Sequence, residues 1–302
     1  MRLATFNLKD FFDPRGPEEE PIVATKCGHV ANAMLAANAD VVALQEVASN
    51  ALVEGLLARE LAACGYGRPL FGPRDKRGIG LALLSRLPVL ESKVFSPYEL
   101  GFPRFVDSDP EPFPNRIPLR RGVLHITVDA GALGTVDILT VHFKSKLGAP
   151  MRNEAGDAIL DLSAVGLAEA ALRALVARSA EALHLRRLVD AVVATPGRNI
   201  CALGDFNDTI DSLPLQIVMG IGTPPATTLV SCLETLPAER RFSVLHRGLR
   251  ELIDQILVSQ ELGRHLRGAE ILNAALRDHG PHDPTAPLAP DSDHALCFAD
   301  FG

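Results

Sequence analysis

The chain has 302 residues, of which 47% are hydrophobic and 22% are charged, a composition that supplies a core and excludes global disorder. Its formal net charge is −7, so it lacks the overall basic excess typical of proteins that bind duplex DNA mainly through phosphates. This charge weighs against duplex DNA as a partner, although a local basic cluster at Arg116, Arg120 and Arg121 could supply phosphate contacts.

Short apolar runs rich in valine, isoleucine and leucine alternate along the chain with stretches of helical periodicity. The runs predict strands over residues 2–8, 41–47, 79–85, 89–95, 121–129, 135–143, 199–203, 242–245, 252–258, 269–272 and 294–298. The periodic stretches predict helices over residues 26–38, 51–63, 167–194 and 212–219. Stretches without a period predict loops over residues 97–118, 147–164 and 278–291.

The strands outnumber the helices, so the helices are too few to connect every pair of strands by a parallel crossover. Mixed sheets with helices on the outside satisfy this count. We therefore expect an α/β (α+β) fold, a four-layer sandwich in which two packed mixed β-sheets are flanked by helices. No internal repeat or linker divides the chain, so residues 1–302 are predicted to form a single domain.

The cysteines and the N-terminal residues indicate the compartment. Five widely spaced cysteines without a CxxC pair favour free thiols in a reducing environment, and Cys201 and Cys297 in apolar runs are predicted to be buried. The first residues show no secretory signal, and no run approaches the roughly 18 apolar residues of a membrane span. The pattern predicts a cytoplasmic protein without a membrane span.

Six short segments place polar residues in or directly after an apolar strand. They are ThrPheAsn at 5–7, LeuGlnGlu at 44–46, ValHisPheLysSerLys at 141–146, LeuGlyAspPheAsn at 203–207, IleAspGln at 253–255 and SerAspHis at 292–294. Strand ends are where a rigid scaffold presents functional groups, and a buried carboxylate there needs a charge or a metal to offset its desolvation. The shared pattern indicates one polar site built from all six segments.

Each segment has a simpler explanation when it is taken alone. Glu46 could end a solvated strand, Asp205 could belong to a hydrogen-bonded turn, and His142 could be a core histidine bound to a backbone carbonyl. Asp254 resists such an explanation, because a lone carboxylate in an apolar strand needs a partner. The simpler explanations of the other five segments are together less economical than convergence on one site.

The order and spacing of these motifs resemble the endonuclease/exonuclease/phosphatase family, which includes pancreatic deoxyribonuclease, apurinic endonucleases, neutral sphingomyelinases and inositol-polyphosphate 5-phosphatases. The resemblance runs from residue 3 to residue 298. The HisPheLysSerLys segment and the long helix after it are similar to bacterial nuclease-like members. Two positions depart from the family pattern. Gln255 stands where relatives often carry His or Tyr. The family's deoxyribonucleases usually carry an additional acidic residue near the strand at 79–85, where this chain has Gly80 or Leu81.

The resemblance implies a role for each motif residue. It implies that Mg²⁺, or Mn²⁺, is bound by Asn7, Glu46 and Asp293. It implies catalytic roles for His142, Asp205, Asn207, Asp254 and His294. Asp205 and Asn207 would position the attacking water, Asp254 would pair with His294 as base or phosphate clamp, and His142 would donate to a phosphate oxygen. The expected phosphate contacts are Arg86, Lys144 and Lys146.

The implied activity is Mg²⁺-dependent hydrolysis of phosphodiester bonds, by an endonuclease or exonuclease that acts on nucleic acid through in-line attack of water. One alternative is a phosphatase or a sphingomyelinase-like phosphodiesterase acting on a small phosphorylated head group, which the negative net charge favours. A second alternative is a non-catalytic binding member, which ranks last because no motif is missing. The number of metal ions, the general base and the oligomeric state stay open.

Overall fold

The computed structural model describes residues 1–97, 100–101, 103, 117–153, 155, 157–193, 195, 197–224, 227–278 and 288–302. Arg116 and most of the loops predicted at 97–118 and 278–291 lie outside these residues.

The strands are β1 (Arg2–Phe11), β2 (Val41–Val47), β3 (Leu70–Phe71), β4 (Gly80–Ser85), β5 (Val89–Phe95), β6 (Val123–Asp129), β7 (Thr135–His142), β8 (Met151–Arg152), β9 (Ala158–Ile159), β10 (Arg198–Asp205), β11 (Leu229–Ser231), β12 (Val244–His246), β13 (Leu249–Glu251), β14 (Asp254–Ser259), β15 (Leu266–Ile271) and β16 (Cys297–Phe301). The α-helices are α1 (Glu20–Ala37), α2 (Asn50–Arg59), α3 (Ala164–Val193), α4 (Leu213–Met219) and α5 (Gln260–Gly263).

Two six-stranded sheets form the centre of the described structure. The first has the order β15-β16-β1-β2-β4-β3 and the second the order β11-β14-β10-β7-β6-β5. Each sheet has one parallel pair, β1–β2 in the first and β7–β10 in the second, and the remaining pairs are antiparallel. Both sheets are therefore mixed, as predicted.

Alternation along the strands divides the buried side chains into layers, because successive residues point to opposite faces of a sheet. In β2, Val41 belongs to the core between the two sheets and Val42 to the core beneath α1. In β10, Leu203 belongs to the core between the sheets and Ala202 to the core beneath α3 and α4. The resulting order of helix, sheet, sheet and helix confirms the four-layer sandwich.

The outer helices are fastened by apolar contacts and by local capping. Met34 of α1 packs on the first sheet and Leu185 of α3 packs on the second. Helix α2 begins after Ser49, whose hydroxyl accepts the backbone N–H of Leu52 at 3.1 Å, which satisfies an amide that the helix itself leaves unpaired. No helix in the described part of the chain is long and apolar enough to cross a membrane.

The predicted elements agree with the structure where the periodic pattern is long. Strands β2 and β5 have the predicted bounds, and Cys201 and Cys297 are buried within strands. The strands β3, β8, β9, β11 and β13 were not predicted, because segments of two or three residues carry no readable period. The last strand begins at Cys297 rather than at His294, which forms only an isolated bridge with Val244.

Candidate active site

The strand register of the second sheet brings three of the predicted side chains into one row. Asp205 at the end of β10 stands opposite His142 at the end of β7 and opposite Asp254 at the start of β14. Strands β7 and β10 are parallel, so their carboxyl ends meet at the same edge, while antiparallel β14 brings its first residue there. The row is therefore a consequence of strand direction and register.

The first sheet contributes Asn7 and Glu46 to the same place. The amide of Asn7 donates from Nδ2 to Asp205 Oδ2 at 3.0 Å, which joins the two sheets across the site. His142 Nε2 lies 3.3 Å from Asp205 Oδ2 and 3.8 Å from Glu46 Oε1. These contacts bring together residues from β1, β2, β7 and β10.

A second polar contact joins the sheets one residue deeper. Gln45 is fully buried, accepts the Thr5 hydroxyl at 3.1 Å and donates from Nε2 to the Thr140 hydroxyl at 3.3 Å. A buried side-chain amide is costly unless both of its ends are hydrogen-bonded. Gln45 therefore belongs to the support of the site, holding β2 beside β7 under Glu46 and His142.

The backbone at two site residues adopts the left-handed conformation that non-glycine residues rarely take. The φ angle is 59° at Glu46 and 53° at Asn207, and such outliers cost roughly 1–3 kcal/mol each and concentrate at functional sites. The turn at Asn207 is held by its own N–H, which donates to Asp205 Oδ1 at 2.8 Å, and by its side-chain Nδ2, which donates to Phe143 O and to Asp205 Oδ2 at 3.0 Å.

Asp254 and His294 form a buried ion pair at the same edge. His294 Nδ1 lies 2.7 Å from Asp254 Oδ2. Burial alone would lower the pKa of His294, but the neighbouring Asp254 carboxylate outweighs burial and raises it to about 10. The His294 ring is therefore charged at neutral pH, while Asp254 Oδ1 is buried without a partner among the described residues.

The pKa of Asp205 and the pKa of His142 are shifted in opposite directions. Burial, reinforced by the charge of Asp254, raises the pKa of Asp205 to about 7. Burial and the nearby charge of Arg121 hold the pKa of His142 well below its ordinary value, so this ring is neutral. The guanidinium of Arg121 is itself buried, donating to His142 O at 3.0 Å and bound to Asp75 at 3.1 Å.

Asp293, the third predicted metal ligand, lies beside two basic side chains. Lys9 Nζ is 2.6 Å from Asp293 Oδ2, and His246 Nε2 is 3.6 Å from the same oxygen. Burial opposes ionisation of Asp293, but His246, His294 and Lys9 outweigh it and keep its pKa well below the usual range. The backbone turn that presents Asp293 is tied to β1, because the Ser292 hydroxyl donates to Asn7 O at 2.7 Å.

Lys9, Arg77 and His246 are site residues that the sequence analysis did not select. Arg77 donates to Asp10 Oδ1 at 2.9 Å and lies 3.8 Å from Glu46 Oε2. Lys9 could have been noticed because it comes two residues after Asn7. Arg77 lies in a loop directly before the strand-like run at 78–86, and His246 lies in the β12–β13 hairpin, and both are outside the six motif segments.

The three predicted phosphate contacts, Arg86, Lys144 and Lys146, differ in where their side chains lie relative to this cluster. Arg86 is at the opposite end of β4 from Gly80, donates to Asn38 Oδ1 at 2.7 Å and lies over the Tyr66 ring. The structure therefore does not bring Arg86 to this cluster, since β2 and β4 run antiparallel and their site end is at Val47 and Gly80.

The ammonium of Lys144 is also occupied. Its Nζ donates to Ser145 O at 2.8 Å and to Leu147 O at 2.5 Å, which folds the loop after β7 around it. Lys146 is half-exposed, 2.7 Å from Glu251 and 3.6 Å from Asp208, one residue after Asn207. Lys144 therefore stabilises the loop after β7, and Lys146 lies at the rim of the site.

The donor set fits a hard divalent cation. Mg²⁺ prefers carboxylate and amide oxygens and keeps several waters, so one or two carboxylates can hold it. Glu46 near the end of β2 and Asn7 where the pairing of β1 with β2 is interrupted offer such oxygens, and the buried Asp254 Oδ1 lacks a partner among the described residues. Ligand atoms of Asp205, Asp254 and His294 also lie within 4.8 Å of one another. His294 Nδ1 in this group is already engaged by Asp254 Oδ2 at 2.7 Å.

The sequence profile of the endonuclease/exonuclease/phosphatase family matches residues 27–294. No curated protein sequence matches the chain. Among solved structures, a 3′-5′ exonuclease (NExo) from Neisseria meningitidis is 19% identical with a TM-score of 0.59, covering 100% of this chain and 99% of that one. An AP endonuclease from Archaeoglobus fulgidus is 15% identical with a TM-score of 0.57, covering 100% and 99%. A truncated TDP2 from Caenorhabditis elegans is 14% identical with a TM-score of 0.60, covering 99% and 96%. These likenesses show the fold, and the profile shows that the chain belongs to the endonuclease/exonuclease/phosphatase family.

Proposed function

We propose that the protein is a Mg²⁺-dependent hydrolase of phosphodiester bonds that acts on nucleic acid, as an endonuclease or exonuclease. The observation that carries this proposal is the convergence of Asn7, Glu46, His142, Asp205, Asn207, Asp254, Asp293 and His294 at one edge of the two sheets. Membership of the family and the nuclease names of its structural neighbours support the same reaction class.

Glu46 is the proposed principal metal ligand, supported by Asn7 directly and by Asp293 directly or through water. A bound divalent cation would supply Lewis-acid polarisation of a phosphoryl oxygen. The Glu46 carboxylate is held for this task, because its Oε2 accepts the backbone N–H of Asp10 at 2.9 Å. Mn²⁺ satisfies the same oxygen donors and is the expected substitute.

Asp205 and Asn207 are the proposed groups for the attacking water. The Asn207 amide donates to Asp205 Oδ2 at 3.0 Å and so holds the carboxylate in place at the end of β10. A general base works best when its pKa lies near the operating pH, and the pKa of Asp205 is raised to about 7. This direction supports Asp205 as the residue that takes the proton of the water.

His294 and His142 are the proposed contacts to the phosphate. The raised pKa of His294 supports a charged clamp on a phosphoryl oxygen, held in orientation by Asp254. The neutral ring of His142 would donate one N–H to a non-bridging oxygen, and its buried Nδ1 has no partner among the described residues. Lys146 at the rim is the proposed contact for a neighbouring phosphate.

A phosphomonoester or phospholipid head group is the second candidate substrate. It is favoured by the net charge of −7 and by the internal engagement of Arg86 and Lys144, which removes two cations from a polynucleotide path. The neighbour NExo is also named a 3′ phosphatase. We keep nucleic acid first because the nuclease-like HisPheLysSerLys segment begins at His142 in the site and ends at Lys146 on its rim.

The test is incubation with plasmid DNA and with single-stranded DNA, with Mg²⁺ and with EDTA. We expect Mg²⁺-dependent cleavage that Glu46→Gln reduces at least about a hundredfold, while the exposed control Glu91→Gln keeps full activity. Cleavage of inositol phosphates, sphingomyelin or nucleotides without DNA cleavage would contradict the nuclease proposal and support a phosphomonoester or phospholipid head group as the substrate. Folded protein that cleaves none of these substrates would overturn the proposed function.

A further inference from the structure

Helix α1 carries a charged side chain in the face that packs on the first sheet. Its buried residues include Val23, Lys26, Val30 and Met34, a spacing that places them on one side of the helix. Lys26 is only 2% exposed. A buried ammonium is costly unless hydrogen bonds and opposite charge compensate for the lost water, and an apolar side chain often fills such a position at lower cost. Packing alone therefore does not explain this lysine.

The Lys26 ammonium binds the backbone segment that precedes the SerAspHis motif. Its Nζ donates to Ala289 O at 3.3 Å and to Asp291 O at 3.1 Å. About one turn further along α1, His29 Nδ1 lies 3.0 Å from Pro290 O, which stands between those two carbonyls. Two side chains of α1 therefore contact three consecutive backbone carbonyls.

The bound segment is not held by a sheet. Residues 288–293 lie outside the strands, and His294 forms only an isolated bridge. The carbonyls of such a segment need side chains or water as partners. The Ser292 hydroxyl donates to Asn7 O at 2.7 Å and accepts the His294 N–H at 3.0 Å. Lys26 on one side and Ser292 on the other therefore hold the backbone that leads to His294.

The Lys26 side chain keeps its charge at neutral pH. Burial lowers the pKa of Lys26 to about 8, and the carboxylates of Asp10, Asp293 and Asp291 oppose this decrease. Hydrogen bonds from a charged donor are roughly twice as strong as those between neutral groups. The two bonds to the 289–291 backbone are therefore stronger than a neutral amide or hydroxyl could make.

We infer that Lys26 is a positioning residue of the active site, which acts from α1 through residues 289–291 to fix Asp293 and His294 relative to the other site residues. This inference rests on the roles that the proposed function gives to Asp293 and His294. A displacement of about 1 Å at a reacting group can lower a rate about a hundredfold. Loosening this backbone should therefore lower kcat while the helix and both sheets stay in place.

The experiment removes the ammonium with Lys26→Met, which keeps an unbranched side chain that suits the apolar face of α1. We expect kcat on plasmid DNA with Mg²⁺ to fall by roughly 10–100-fold, with KM changed by less than about threefold. The NMR signals of the His294 ring should move or broaden in the same variant, with no substrate present. Lys26→Gln is a second variant that lacks the charge, with the same expected results.

The matched control is Met34→Ala, at a fully buried residue on the same face of α1, eight positions after Lys26. It opens a cavity between the helix and the first sheet, so the melting temperature should fall by roughly 4–10 °C. We expect this variant to keep the wild-type kcat and the wild-type His294 signals. Loss of packing under α1 is thereby separated from loss of the Lys26 hydrogen bonds.

The outcomes distinguish this inference from the proposed function. Wild-type kcat and wild-type His294 signals in folded Lys26→Met and Lys26→Gln would overturn the inference alone, and so would an equal loss of kcat in Met34→Ala. Unfolding of both Lys26 variants, seen by circular dichroism, would contradict it as well, because Lys26 would then be required for the fold itself. A wild type that cleaves no substrate overturns the proposed function, and unchanged His294 signals in Lys26→Met would then overturn the inference separately.

Discussion

At the scale of single residues, the Asp254–His294 pair holds a charge where burial alone would remove it. Desolvation lowers the pKa of a buried imidazole, and a carboxylate at hydrogen-bond distance raises it. The second effect wins at His294, whose pKa is about 10. The His294 ring therefore carries a positive charge that is fixed in place by Asp254 at the edge of both sheets.

Asp254→Asn tests this charge. The substitution removes the carboxylate that contributes most to the raised pKa, while Asp205 and Asp293 remain, so the pKa of His294 measured by NMR should fall clearly from about 10. We expect kcat on DNA to fall by roughly 10²–10⁴-fold. The half-exposed Asp190 supplies the control Asp190→Asn. An unchanged His294 titration would show that Asp254 is not its partner in solution.

At the scale of elements, the approach of β7 to β10 depends on Gly204. Its φ angle is 145°, and a Cβ atom at this position would lie 2.1 Å from the carbonyl oxygen of Val141. Because Gly204 immediately precedes Asp205, a shift of β10 here displaces the carboxylate from His142 and Asn7. The glycine therefore lets the parallel pair close beside the site.

Gly204→Ala should lower the free energy of unfolding by at least about 2 kcal/mol, since backbone has to move to relieve the contact. The matched control is Gly268→Ala in β15, where nothing lies within 4 Å of the new Cβ, and its expected effect is within about 0.5 kcal/mol. Urea unfolding of both variants measures the difference. An equal loss of unfolding free energy in the two variants would mean that β7 and β10 can move apart without destabilising the protein.

At the scale of the whole molecule, the core between the sheets links all the elements that carry site residues. It contains Leu3 of β1, Val41 of β2, Ile138 of β7 and Leu203 of β10. A shared core of this kind unfolds as one cooperative unit in most single domains. We therefore expect calorimetry to show one transition, with equal calorimetric and van't Hoff enthalpies.

Leu203→Ala opens a cavity in this shared core. The side chain is fully buried, so the free energy of unfolding should fall by roughly 2–5 kcal/mol, and the single transition should move as a whole. Leu162→Ala, at a side chain that is 77% exposed, should change it by less than about 0.5 kcal/mol. Two separate transitions, of which only one moves, would contradict the single domain predicted for residues 1–302.

Sequence alone was sufficient for the long periodic elements and for the motifs. Strand β2 has its predicted bounds because four consecutive apolar residues precede Gln45 and Glu46, and a run of this kind can only be a buried strand or helix. The meeting of His142 with Asp205 follows from two parallel strands that end at one edge, whereas Asp254 reaches that edge as the first residue of the antiparallel strand β14. The family-like order of the motifs added the pairing of Asp254 with His294, which the structure contains.

The tertiary structure decided which long, charged side chains enter the site. Arg86 and Lys144 were expected there and are bound elsewhere, whereas Lys9 and Arg77 were not expected and contact Asp293 and Asp10. Lys9 and Asp293 are 284 residues apart in the chain, and no local pattern encodes such a contact. A short Asp, Asn or Glu stays where its strand ends, so sequence locates it, but a flexible cation reaches several carboxylates and only the folded surroundings select one.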